Sequence, residues 1–253
     1  MKEILKVNNL NKHYEKIHAV KSLNLKVKEG NIFGLIGPNG AGKSTTIECI
    51  LGTKKSKYDE ITILGMTLDD IKNDKKKHKE LFSQLGVQFQ SNFYPEHIRV
   101  DEMCEMITSL YDETEDWRLM LKKFDLEEKK KALVKELSGG QKQKLSVLLA
   151  LINKPKLVFL DELTTGLDPN ARREVWTLLK KLNKEGLTIF LTSHYMDEVE
   201  YLCDNIAIIK NGAIVEEGNP IEIKEKIQTK SLEEAYLKLI KEGNIDEVIK
   251  SVV

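Results

Sequence analysis

The sequence predicts an α/β fold with a mainly parallel sheet, an antiparallel β subdomain near the N-terminus and an inserted α-helical subdomain. Three observations carry this. Short apolar runs at 32–36, 157–160, 187–192 and 206–209 have the texture of strands buried on both faces. A helical stretch at 172–183 separates two of them, and strand–helix–strand alternation marks a parallel sheet. Across the middle third, Met103, Met106, Ile107 and Leu110 recur at helical spacing, as do Trp117, Met120, Leu121 and Phe124, then Leu145, Leu148, Leu149 and Ile152.

Taken in order, residues 4–7 and 23–27 alternate apolar and polar, as half-buried strands do. Glu29-Gly30 turns the chain into the strand at 32–36. The helix expected at 46–51 ends at Gly52, and 61–64 is a short strand before Gly65. Residues 69–79 are strongly polar and are expected as an exposed helix or loop. From about Pro95 to Lys154 the helical stripes read as core. Gly186 ends the helix at 172–183. Ser231-Leu232-Glu233-Glu234 is a capping box opening a last helix, with Gly243 expected to stop it. The expected division is a core of 1–88 and 158–225 that includes the β subdomain, a helical subdomain at 89–157 and a C-terminal helical extension at 226–253.

Between the third strand and the first helix lie Gly37-Pro38-Asn39-Gly40-Ala41-Gly42-Lys43-Ser44-Thr45, the G-x-x-x-x-G-K-[ST] pattern of a P-loop. Glycines let successive N–H groups turn inward around an anion, and the helix start adds its positive dipole end. Lys43 is placed to reach β/γ-phosphates and the Ser44 hydroxyl to bind Mg²⁺. This makes the sheet a P-loop NTPase core. The strand at 157–160 runs into Asp161-Glu162, so Asp161 is placed for the metal and Glu162 as general base on water. Leu137-Ser138-Gly139-Gly140-Gln141 is a turn into a helix expected to begin near Gln141, with a hydroxyl and bare N–H groups that suit an anion.

Lys+Arg and Asp+Glu both number 40 in 253 residues, so the formal charge is zero and no global nucleic-acid footprint exists. Lysine runs at 75–77 and 129–131 read as solvated faces. Cys49, Cys104 and Cys203 are odd in number and lack metal-ligand spacing, which fits a reducing compartment. Residues 1–11 are mixed and polar, unlike a signal peptide, and the longest apolar run, 145–152, is too short to cross a bilayer.

The Ser-Gly-Gly segment, shortly before Asp161, resembles the signature loop of ATP-binding-cassette (ABC) ATPases, and the resemblance extends over nearly the whole chain. It implies that Tyr14 stacks on adenine, with a ring face suited to that work. Gln90 looks like the Q-loop glutamine that touches metal or water, with Gln88 an alternative two residues earlier. Gly166-Leu167-Asp168 is similar to the D-loop, and His194 to the switch histidine at the γ-phosphate. The implied catalytic set is Glu162, His194, Lys43 and Gln90. The implied metal set is Ser44, Gln90 and Asp161, and the nucleotide set is Tyr14, residues 37–45, Ser138, Gly139, Gly140, Gln141 and Asp168. Three departures stand out: Leu163 where many relatives carry Pro, a 54–60 loop without Pro or Gly, and Lys142 and Lys144 where Arg is frequent.

One P-loop and one signature segment make half of each of two sites. The resemblance therefore implies a head-to-tail dimer closed by ATP with Mg²⁺, either a homodimer or a heterodimer with a related cassette. Segments 163–169, 197–204 and 231–237 resemble cassettes paired with ABC-2-type permeases. The expected protein powers a separate membrane permease, with export as the expected direction, from the cytoplasmic face of the cell membrane. The alternatives are a soluble non-transport ABC ATPase, for example in iron–sulfur cluster assembly, and a nucleotide-sensing module.

Overall fold

The computed structural model describes residues 2–90 and 93–250, with backbone only for 242–250. In chain order the elements are β1 (Glu3–Tyr14), β2 (Ile17–Lys28), β3 (Ile32–Ile36), α1 (Lys43–Ile50), β4 (Glu60–Ile63), β5 (Met66–Thr67), α2 (Leu68–Asn73) and α3 (Lys75–Phe82). Then follow β6 (Leu85–Gln88), α4 (Val100–Thr108), α5 (Trp117–Lys123), α6 (Gly139–Leu151), β7 (Leu157–Asp161), α7 (Pro169–Lys184) and β8 (Thr188–Ser193). The chain closes with α8 (Met196–Leu202), β9 (Asn205–Lys210), β10 (Ala213–Gly218), α9 (Pro220–Ile227) and α10 (Leu232–Lys250). They form two compact units, residues 1–68 with 192–253 and residues 69–191.

In the first unit, β2-β1-β4-β5 form an antiparallel sheet. The β1–β2 hairpin is far longer than the two short predicted strands, because bulges let pairing continue through breaks in the alternation. Asn9 and Ser22 take left-handed φ of 51° and 45° on its two strands. The 54–60 loop takes its shape from β1: Asn11 and Lys57 exchange backbone hydrogen bonds, and Lys12 Nζ donates to Lys55 O at 2.7 Å. β3, buried at every residue, pairs parallel with β9, whose other edge pairs antiparallel with β10. Helix α10 begins as predicted, but the reciprocal arm of its cap differs. Ser231 Oγ accepts from Glu234 N at 3.1 Å, while the Glu234 carboxylate accepts from Lys230 N at 3.0 Å. Gly243 does not end it. The helix continues to Lys250, and the roughly 1 kcal/mol that glycine costs a helix interior is too little to act alone as a stop.

In the second unit, β6 and β7 pair parallel, from Leu85 opposite Leu157 to Gln88 opposite Leu160. Helix α6 packs against β6, α4, α5 and α7. Trp117, Leu121, Phe124, Leu145 and Leu148 are buried there, as their spacing predicts. Asn153, just past α6, donates from Nδ2 to Phe82 O, Ser83 O and Leu85 O, which ties α6 to the entry of β6. Two members of the first stripe leave the core. Leu110 lies beyond the end of α4 and is 67 % exposed, and Met106 faces solvent. The predicted polar segment at 69–79 forms α2 and most of α3. Strand β8 carries the chain from the second unit into the first at Thr192.

Candidate nucleotide site

The loop between β3 and α1 is built around Gly42, the N-cap of α1, with φ of +107°. A Cβ there would stand 2.4 Å from Ala19 O, so both the backbone conformation and the space require glycine. The N-cap residue, a glycine, offers no side-chain cap to α1, the setting in which a helix start attracts an anion. Lys43 is only 4 % exposed, and its ammonium donates back to Gly37 O at 2.9 Å and Pro38 O at 3.3 Å. Ala41 N closes on Pro38 O at 3.1 Å, and Ala41 O accepts from Gly212 N at 3.0 Å. Asn39 and Gly40 form the exposed crest, and Ser44 and Thr45 are half-buried in the first turn.

Tyr14 ends β1 at the hairpin tip, where Lys12 Nζ lies 4.5 Å from its ring centroid. One ring face is thus covered by a cation. His194 follows β8 directly, its ring 4.2 Å from that of Tyr195. The turn that carries it is pinned by Ser193, whose Oγ donates to the buried Glu198 carboxylate at 2.5 Å and accepts from Tyr195 N at 3.0 Å.

In the second unit, Asp161 is the last residue of β7 and is buried. Glu162 leaves the strand with a left-handed φ of +49°, the kind of strained backbone that clusters at working sites. Gln90 Nε2 donates to Glu162 Oε2 at 3.1 Å, so its amide oxygen faces away from that contact. This distinguishes the two glutamines. Gln88 is buried and donates to Phe89 O, whereas Gln90 meets Glu162. Further along the same loop, burial pushes the Tyr94 phenol up, and its hydroxyl hydrogen-bonds Ser146 of α6.

Helix α6 starts two residues earlier than expected, because Ser138 is its N-cap. Gln141 N donates to Ser138 Oγ at 3.3 Å and Ser138 N to Gln141 Oε1 at 3.1 Å, a full capping box. Gln141 therefore shapes the turn, while the Gly139 and Gly140 N–H groups open the helix. Asp168 has a similar duty: its Oδ1 accepts from Asn170 N and Ala171 N at 3.0 and 3.1 Å, with Pro169 as the first residue of α7. Sequence reading missed the cation over Tyr14 and the Tyr94–Ser146 anchor, the latter because its two residues lie far apart in the chain.

Comparison with known proteins supplies the rest. Residues 20–165, more than half of the chain, match the family described as ABC transporter. ABC transporter A family member 5 of Dictyostelium discoideum is 34% identical over 257 residues, 99% of this chain but 15% of that protein. The methionine import ATP-binding protein MetN 2 of Acinetobacter baylyi is 37% identical over 230 residues, 87% of this chain and 67% of its own. The Nod factor export ATP-binding protein I of Rhizobium etli is 35% identical over 226 residues, covering 87% and 69%. Among solved structures, an ATP-binding subunit of an ABC transporter superposes with a TM-score of 0.81 at 27% identity, over 93% of this chain and 99% of that one. A cassette solved as a post-hydrolysis dimer with ADP and Pi gives 0.74 at 28% identity, over 85% and 98%.

Proposed function

Because this chain belongs to the ABC transporter family, we propose that it is the ATP-hydrolysing subunit that powers a separate membrane permease and acts through an ATP-closed dimer. The observation that carries this reading is Glu162, directly after β7, held by Gln90. A carboxylate fixed beside the residue that leads the strand out is suited to take a proton from attacking water.

On this reading Lys43 exchanges its two carbonyl partners for phosphate oxygens, and the N–H groups of residues 40–45 line the phosphates. Tyr14 stacks its uncovered face on the base. The Ser44 hydroxyl, the Asp161 carboxylate and the Gln90 amide oxygen are hard oxygen donors of the kind Mg²⁺ takes. Mg²⁺ held by these residues would supply charge neutralisation at the phosphates. Glu162 receives the proton of the water, and His194 donates a hydrogen bond to the γ-phosphate. Ser138, Gly139 and Gly140 of one subunit close over the nucleotide held by its partner, with Asp168 alongside. ATP favours the closed dimer by mass action, and its cleavage removes the bridge.

The cavity of about 420 Å³ beside Gln90, lined by Tyr94, Pro95, Val134 and Lys142, is our candidate for the permease contact. Phe93, 96 % exposed at its rim, is the anchor. No helix among the described residues is long and apolar enough to cross a membrane, which is consistent with a separate spanning subunit on whose cytoplasmic face the chain would sit. The similar proteins include both an import and an export component. We read export from the likeness of 163–169, 197–204 and 231–237 to cassettes of ABC-2-type permeases.

The test is Glu162→Gln. It should bind ATP, release phosphate at least roughly 100-fold more slowly and form an ATP-dependent dimer in light scattering. Wild-type turnover would remove Glu162 from its role. Isolation of the native protein with a soluble scaffold, and without a hydrophobic subunit, would overturn the transport reading.

A further inference from the structure

We infer that Lys144 is a positioning residue that locks α6 to α7, so that Ser138 and Asp168 are presented as one rigid edge. The inference rests on the dimer proposed above, in which both residues reach the partner's nucleotide. Lys144 Nζ lies 3.0 Å from Glu174 Oε2 and 3.5 Å from Asp125 Oδ2, with its side chain 13 % exposed. Three contacts ascend in step, the first from the residue just before the α7 cap and the next two from α7 itself. Leu167 lies under Gly139, with 3.6 Å to a Cβ built there. Ala171 lies against Gly140, with 2.9 Å between their β-carbon positions, and Glu174 meets Lys144. Helices whose contacts ascend in step run parallel, so both N-termini lie at the same end.

The spacing reinforces this. Lys144 is six residues past the cap Ser138, and Glu174 is six past the cap Asp168. At 1.5 Å per residue the ion pair ties the helices about 9 Å behind both caps. The Gly140–Ala171 contact fixes their separation nearer the tips. Two fastenings along one seam prevent both sliding and rotation, so both positive helix ends keep one spacing. Lysine serves here although it lacks the fork of arginine, because two acids approach one ammonium from different elements, Glu174 on α7 and Asp125 in the turn after α5.

The experiment uses the full chain carrying Glu162→Gln, which holds ATP without turnover. Lys144→Glu should raise the ATP concentration for half-maximal dimerisation roughly tenfold, the effect of losing a contact pair of ordinary coupling strength. Lys144→Glu with Glu174→Lys should return it to within about threefold. Affinity of the dilute single subunit for a fluorescent ATP analogue should stay within about twofold throughout. Hydrogen exchange of amides 142–148, read without nucleotide, should quicken in Lys144→Glu and recover in the swapped pair. Unchanged exchange in Lys144→Glu, or a swap that restores neither reading, overturns the inference. A parent that stays monomeric with ATP while exchange responds as expected sinks the dimer and leaves the α6–α7 lock standing.

Discussion

Gly42→Ala tests the construction of the phosphate loop most directly. Two costs follow from the geometry. A left-handed backbone at φ +107° costs a Cβ-bearing residue about 1–2 kcal/mol. The new methyl would also stand 2.4 Å from Ala19 O, roughly 1 Å inside contact, and forcing atoms into packed space costs typically 1–3 kcal/mol. The sum, about 2–5 kcal/mol, is a large part of an ordinary folding free energy. At roughly 2–4 °C per kcal/mol for a chain of this size, the melting midpoint should fall by about 10 °C. Thermal unfolding without nucleotide measures this, and ATP should no longer raise the midpoint, since the N–H groups of α1 would have moved. A variant that melts within about 2 °C of the parent and is still stabilised by ATP would refute the placement of Gly42 against β2.

Other outcomes follow from the same geometry. Gln90→Leu removes the hydrogen bond from the Gln90 amide to Glu162, and misplacing a catalytic group by about 1 Å costs on the order of 100-fold; phosphate release should fall by tenfold or more while ATP affinity of the single subunit stays within about threefold. An equal loss of affinity would show that Gln90 only holds the fold. Lys6→Met addresses the antiparallel sheet: the Lys6 hydrogen bond and charge hold the Glu60 carboxyl below its usual range, so its contribution to stability is present above the ordinary carboxylate value and lost as pH falls through the lower folded value. In Lys6→Met, carbon-detected NMR should find Glu60 titrating at higher pH; no change would dismiss the ion pair. Burial raises the Cys104 thiol to about 12, so in the native protein it should resist alkylation at neutral pH, as followed by mass spectrometry.

What could be read from the sequence was what lies contiguous along it. The P-loop, the Asp161-Glu162 strand end and the Ser138 turn are short patterns whose chemistry needs neighbours in the chain, and they fall on the elements expected. Element ends were harder to read. Ser138 and Gln141 form a capping box visible in the letters, yet two glycines argued against a helix already begun at Gly139. Gly243 argued for a stop where the backbone continues. Leu110 kept the helical spacing of α4 beyond its end, because periodicity does not mark where hydrogen bonding stops. Gln88 and Gln90 could be separated only once one side chain was found buried and the other at Glu162. Lys144 and Glu174 stand far apart in sequence, and only the packing of two helices makes them neighbours.

The carbonyl of Ala19, at the bulge in β2, closes off the space for a side chain at both Gly42 and Gly212. That one oxygen is a datum from which the tip of the hairpin and the start of α1 are both measured. On the proposed reading, exchanging the ring at position 14 would alter the contact with the base and leave the loop at 37–45 untouched. Adding or deleting a residue between 14 and 19 moves the datum itself. If Tyr14 and the loop hold the nucleotide as proposed, the ring can change by single substitutions, while its distance from the loop is inherited as one piece with the hairpin.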